Sequence, residues 1–248
     1  MYREFAHLWT EISHPDDYAE EAVHWLGTLS DLLAEKPPVA GRPRHTLLEL
    51  GVGGGNNLSH LTPHYDAVAT DLSAEMLANS EKLYPGVEHI VGDMRSLRLG
   101  RKFDAVLAHD AISYMTTAAD LRRVFDTAAA HLEPGGVFIA SPDWFKGVDE
   151  FPNLSSKIVR PGESLSYVEY AYDPDPADTE IDVLFVYLVH QPDGTVSVEE
   201  DRHKHGLFAL GTWLELLYES GFEPGVRAFG IDEHEEDRLW QLITGVLR

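Results

Sequence analysis

The sequence predicts an α/β protein: a doubly wound, mostly parallel seven-stranded sheet with an antiparallel β insert after its fifth strand. Three observations lead there. Through residues 46–140 short apolar runs alternate with helically patterned segments, the rhythm produced by parallel strands joined through crossover helices. The first of these runs empties directly into glycines. From about residue 157 the style changes to alternating segments broken by Asp-Pro-Asp-Pro and Pro-Asp-Gly-Thr turns, which is how antiparallel strands read.

Taken in order, Tyr18, Ala22, Trp25, Leu26, Leu29, Leu32 and Leu33 recur at helical spacing over residues 16–36, and Pro37-Pro38 ends the helix. Strands are expected at 46–50, 67–70, 88–91, 103–108 and 137–140, with helices over 56–61, 74–83 and 118–132 between them. Right-handed crossovers then bring the strand C-termini to one edge, where ligands bind in such sheets. The insert reads as strands over 166–172, 180–191 and 195–204, and is followed by a helix over 210–220 and a strand over 226–229. An acidic run over 232–237 reads as a solvated turn. The final run, 239–247, is rich in Trp, Ile, Thr and Val and reads as a strand closing a hairpin, with a short helix as the competing reading. Residues 1–248 form a single domain on this reading: a helical lid region (1–44), a core (45–141), the insert (157–208) and a C-terminal completion of the sheet (209–248).

Composition narrows the function. A 44% hydrophobic content supports a sizeable core, and the net charge of -23 gives a field that should repel nucleic acid and anionic lipid. A small-molecule partner is expected, with no nucleic acid and no membrane. There is no Cys, so thiolate nucleophiles and Cys-based metal centres are excluded. The N-terminal MYREFAHLWTEI is polar and amphipathic and no apolar run approaches the length of a membrane span, so a cytoplasmic location is expected.

The chemistry concentrates in Leu47-Leu48-Glu49-Leu50-Gly51-Val52-Gly53-Gly54-Gly55-Asn56-Asn57, a buried strand running into glycines and then a helix. Glycine lets the backbone take positive φ and lets a ligand lie against it. A dinucleotide fingerprint would want a glycine where Asn56 stands. Asp71 closes the second strand, 20 residues beyond Gly51, where a carboxylate can accept both ribose hydroxyls of a nucleoside. Asp93 follows the third strand with Met94 beside it: the carboxylate can accept from an adenine amino group while Met packs on the ring. An NAD-dependent reductase shares the first two features, and a non-catalytic nucleoside-binding regulator would share all three.

In order and spacing, these motifs resemble those of the class I S-adenosylmethionine (AdoMet)-dependent methyltransferases, which have a Rossmann-like sheet. Glu49 to Gly55 is similar to the family's glycine motif, Asp71-Leu72-Ser73 with Met76 to its ribose motif, Gly92-Asp93-Met94 to its adenine motif, and Leu132-Glu133-Pro134-Gly135-Gly136 to the turn before its fifth strand. The insert, followed by Gly206-Leu207-Phe208, Trp213, Leu216-Leu217 and Gly221-Phe222, resembles the small-molecule branch, and within it the sugar-nucleotide N,N-dimethyltransferases of antibiotic biosynthesis. The resemblance implies AdoMet as cofactor, held by Glu49, Gly51, Gly53, Gly55, Asn56, Asp71, Leu72, Met76, Asp93 and Met94. It also implies that Tyr18 covers the cofactor, with His109 and Asp110 against its methionine part or the incoming substrate.

For the acceptor, the resemblance points to His203 and Lys204, with Arg202 beside them in the insert; Trp144, after the fifth strand, reads as either a substrate wall or ordinary core. The amino-sugar enzymes carry a histidine base where Ala111-Ile112-Ser113-Tyr114 here supplies a tyrosine, a departure that makes Tyr114 the acceptor-side candidate; candidate bases are His109, Tyr114 and His203. His203 and His205, two apart on a strand, share a face and could begin a metal site, although no metal is expected for want of an obvious third ligand. The insert could cover the active site or form a homodimer interface.

Overall fold

The computed structural model describes Ala6 and residues 9–157, 164–229 and 240–248, so the acidic run at 232–237 lies outside the described residues. β1 (Thr46–Leu50) is buried at every position, as expected of a strand with helices on both faces. Around it a seven-stranded sheet forms from β2 (Asp66–Asp71), β3 (Glu88–Val91), β4 (Phe103–Ala108), β5 (Leu132–Ala140), β10 (Phe222–Phe229) and β11 (Trp240–Leu247), in the order β10-β11-β5-β4-β1-β2-β3. β1 to β5 pair in parallel, while β11 runs antiparallel to both β5 and β10. The last run is therefore the strand, and the helical alternative is excluded.

The helices are α1 (Trp9–Ile12), α2 (Ala19–Leu33), α3 (Leu58–Leu61), α4 (Ala74–Leu83), α5 (Ala118–His131) and α6 (Leu210–Glu219). Alternate residues of the strands feed two cores. Leu48, Val106 and Phe138 pack with Phe125 of α5 and Trp213 of α6, whereas Leu47, Ala105, Leu107 and Ile139 pack with Trp25 and Leu29 of α2. A polar side chain locks this arrangement: buried Asp104 of β4 accepts from the Thr46 N–H at 2.8 Å and the Val39 N–H at 2.9 Å.

The insert is a four-stranded antiparallel sheet of β6 (Asn153–Lys157), β7 (Leu165–Tyr172), β8 (Glu180–His190) and β9 (Val196–Gly206). Three strands were expected from about residue 157, and the sheet has four and begins at Asn153. β6, with sequence NLSSK, is polar and largely exposed, so no apolar alternation announces it. β10 likewise starts four residues before the expected 226, running through Pro224 and Gly225. It is an edge strand, where a missing N–H is tolerated. The helix expected from residue 56 begins at Leu58, after the Asn56-Asn57 turn. Among the described residues no helix is long and apolar enough to cross a membrane.

Candidate active site

Past Leu50 the chain turns through Gly51, Gly53 and Gly55 at φ of 80°, 56° and 91°. A Cβ on Gly51 would stand 2.3 Å from Ala111 Cβ and 2.9 Å from Met94 Cε, so only glycine lets this turn close against the turn after β4. Asp71, at the end of β2, braces the loop. Its Oδ2 accepts from the Gly53 N–H and its Oδ1 from the Ser73 N–H, each at 2.8 Å. Burial raises its pKa, against the pull of those backbone donors.

A cavity of about 320 Å³ opens between these turns, at the C-terminal edge of the parallel strands. Gly51, Gly53, Asn56, Asp71 and Leu72 line one side. Asp93, Met94, His109, Asp110, Tyr114 and Tyr18 line the rest of the expected set. Three expected cofactor residues are not among its lining. Glu49 is buried inside β1, with Oε1 accepting from Asn57 Nδ2 at 3.1 Å and Oε2 without a hydrogen-bond partner. Burial pushes its pKa up to about 7, against the hydrogen bond from Asn57. Met76 is fully buried below the loop, and Gly55 packs against Ser80 of α4, whose Oγ would be 2.3 Å from an added Cβ.

Trp9 and Arg95 are among the lining residues that were not expected at the site. Trp9 of α1 lies across the loop, its indole 2.1 Å from where a Gly54 Cβ would sit. Arg95 grips Asp93, with Nη2 2.6 Å from Oδ2 and Nε 2.9 Å from Oδ1. These hydrogen bonds hold the Asp93 carboxyl below its usual range, against a burial penalty. Arg95 stands two residues past Asp93 in the adenine motif, so an acid-x-base spacing at a strand end was the available signal.

His109 is buried between two carboxylates: Nε2 lies 2.9 Å from Glu21 of α2 and Nδ1 2.9 Å from Asp110. Burial alone would discharge the ring, but Asp110 and Glu21 outweigh it and raise the pKa well above the ordinary histidine value. A ring flanked by a carboxylate at each nitrogen is suited to act as a charged strut tying α2 to the end of β4, which argues against its expected role as a base. Ser141 Oγ donates to the same Glu21 at 2.8 Å.

On the acceptor side, Tyr114 Oη lies 3.0 Å from Nδ1 of His203, and the Tyr114 ring stands edge-on to His203 and His205 at centroid distances of 5.6 and 4.6 Å. Burial lowers the pKa of each histidine to about 4, so both rings are neutral at pH 7. The alternation of β9 aims 201, 203 and 205 inward, which turns Arg202 and Lys204 outward. Neither expected substrate contact lines the cavity: Arg202 pairs with Glu200 at 3.1 Å, and Lys204 with Glu180 at 3.0 Å and Asp182 at 3.5 Å. Trp144, also expected at the substrate, is buried with Ala171, Ile181, Val183 and Leu207 where the insert meets the core. Asp143, whose Oδ2 is 3.6 Å from His205 Nδ1, was not expected beside it. Among the described residues no group of three or more acidic or histidine side chains is arranged to hold a metal ion.

These groups fit AdoMet. Asp71 and Asp93 line one cavity, at the ends of neighbouring strands, and the volume suits a small-molecule site. Asn57, also in the lining, has a buried Oδ1 without a hydrogen-bond partner that offers an acceptor to an amino group at the other end.

Fold and site together define an AdoMet-dependent methyltransferase, and a family model described as a methyltransferase domain matches residues 47–136. The dTDP-3-amino-3,4,6-trideoxy-α-D-glucopyranose N,N-dimethyltransferase of Streptomyces venezuelae is 33% identical over 195 residues, covering 77% of this chain and 78% of that protein. The dTDP-3-amino-3,6-dideoxy-α-D-glucopyranose N,N-dimethyltransferase of Streptomyces fradiae is 31% identical over 218 residues, covering 84% and 80%. Among solved structures, Streptomyces venezuelae DesVI superposes with a TM-score of 0.78 at 26% identity, covering 94% of this chain and 92% of that one. The chain belongs to the family of sugar-nucleotide N,N-dimethyltransferases. It is an enzyme that uses AdoMet to methylate a small molecule, and the reductase and regulator alternatives fall away.

Proposed function

We propose that the enzyme N-methylates the amino group of a nucleotide-linked amino sugar. The observation that carries this reading is the environment of Tyr114, a phenol at the cofactor cavity held by the uncharged His203. The amino-sugar nucleotides named for the relatives support the substrate class.

Bound in the cavity, AdoMet supplies an electrophilic methyl on a sulfonium whose thioether leaves without protonation. The protein has to hold an amine nitrogen in line and deliver it uncharged. The Asp110 carboxylate at the cavity favours approach of the amine as its ammonium. Tyr114 Oη, its own hydrogen directed to the neutral His203 Nδ1 at 3.0 Å, accepts a hydrogen bond from the nitrogen and holds it in line, while the ammonium's proton is released to water. A weak base suffices because the amine attacks once neutral. His109 keeps Asp110 oriented and takes no proton.

On the cofactor side, Asp71 takes the ribose hydroxyls and Asp93 the adenine amino group, with Leu72 and Met94 against the ring. Gly51, Gly53 and Asn56 form the floor, Glu49, Gly55 and Met76 support it from below, and Tyr18 covers the methionine end. The nucleotide-linked acceptors named for the relatives support a cytoplasmic setting.

Incubated with AdoMet and dTDP-3-amino-3,6-dideoxyglucose, the enzyme should release S-adenosylhomocysteine and give a product heavier by one and then two methyl groups in mass spectrometry. Methylation of oxygen instead, or no transfer to this and other amino sugars, would overturn the reading.

A further inference from the structure

His205 makes no hydrogen bond through either ring nitrogen although its side chain is only 7% exposed. A neutral imidazole offers one N–H and one lone pair, and burying both unmet is costly unless something outside the chain completes them. The fold holds the ring at the site. A Cβ on Gly206 would come within 2.0 Å of the Met115 carbonyl oxygen, so the end of β9 presses on the turn that carries Tyr114. The ring accordingly packs edge-on to Tyr114, itself a wall of the cofactor cavity.

The second group of this subsite is Asp143, whose Oδ2 is 3.6 Å from His205 Nδ1, too far for a hydrogen bond but close enough for one atom to bridge the two. Its backbone N–H donates to Ser113 Oγ at 3.1 Å, which anchors it to the turn after β4, and a bridge between Phe145 and Phe208 ties its segment to the end of β9. Burial, with the carboxylates of Asp110 and Glu169 nearby, raises the Asp143 pKa well above its ordinary value, so this pair can carry a proton between them without carrying a net charge. A hydroxyl is the group that both donates and accepts through one atom.

We propose that His205 and Asp143 form an acceptor subsite that binds a hydroxyl of the sugar beside its reacting amine. This rests on the amino-sugar reading above. The acceptors named for the two relatives supply the probes, since dTDP-3-amino-3,6-dideoxyglucose keeps the 4-hydroxyl that dTDP-3-amino-3,4,6-trideoxyglucose lacks.

The measurement is kcat/KM for both acceptors on the full chain, taken as a ratio within each preparation so that loss of folded protein cancels. In the unmodified enzyme the hydroxylated acceptor should be preferred by about 100-fold or more, as sites built to bond a hydroxyl discriminate against its absence. His205→Leu should bring the ratio to within about threefold of unity, and His205→Gln, which keeps a donor and an acceptor, should fall between. Equal use of both acceptors by the unmodified enzyme, preference for the deoxy acceptor, or a ratio untouched by His205→Leu overturns the subsite alone. Methylation of neither acceptor overturns the amino-sugar reading and the subsite with it.

Discussion

Gly53 and Asp71, in the cofactor half of the site, meet as a backbone N–H 2.8 Å from a carboxylate oxygen, in turns only 18 residues apart. Tyr114 and His203, in the acceptor half, meet as two side chains 89 residues apart, and the contact exists only because β9 folds back against the turn after β4. The first half is shaped by chain conformation and the second by side-chain identity. A cofactor site made mainly of glycines and strand ends can persist while the acceptor site beside it is rebuilt by single substitutions.

The largest effect expected from breaking the first half comes from Gly51→Ala. A Cβ there meets Ala111 Cβ at 2.3 Å on a backbone of φ 80°. Binding of S-adenosylhomocysteine, measured by calorimetry, should weaken by roughly 100-fold or more, about 3 kcal/mol, the scale of backbone strain plus lost contact. Unchanged binding would mean that the loop does not form the floor of the cavity.

The strut joining the lid region to the core comes next. His109→Asn leaves Glu21 buried without its charged partner and should cost about 3 kcal/mol, lowering the melting temperature by about 5–10 °C. Its pH dependence has a defined sign. The folded pKa of His109 is raised, so its contribution is fully present below the unfolded value near 6.5 and is lost as pH rises through the folded one. The folded pKa of Glu21 is lowered despite burial, so its contribution is present above 4.5 and lost as pH falls through the folded value. The gap between parent and variant melting curves should be widest between those limits, carry past neutrality and close in alkali. A gap independent of pH would remove the ion pair as its cause.

Smaller effects belong to the acceptor half. Tyr114→Phe should lower kcat about tenfold, below the usual range for acid–base groups because the phenol holds the nitrogen in line and takes no proton, while S-adenosylhomocysteine affinity holds within about twofold. Unaltered kcat would remove the phenol from positioning the acceptor. Smallest of all, Arg202→Ala and Lys204→Ala should leave kcat/KM within about twofold, as both side chains face away from the cavity into exposed ion pairs.

The same contrast explains what could be read in advance. The parallel core was legible because buried strands such as TLLEL are mostly apolar with no solvent-facing alternation, and the glycine loop because positive φ restricts residue choice locally. The strand β6 was not, since an exposed polar edge carries no hydrophobic alternation. Arg202 and Lys204 were placed at the substrate by the resemblance, whereas the two-residue period of β9 gives their face to solvent and that of His203 and His205 to Tyr114. Glu21 beneath His109 and Asp143 beside His205 lie 88 and 62 residues from their partners, a distance no local pattern encodes.

The central claim is that the turns after β1, β2 and β3 surround one adenosine. A crystal structure with S-adenosylhomocysteine tests it most directly. Asp71 should contact both ribose hydroxyls, Asp93 the adenine amino group, and the sulfur should face Tyr114. A nucleoside bound elsewhere, or with Asp71 and Asp93 directed away from it, would contradict the account.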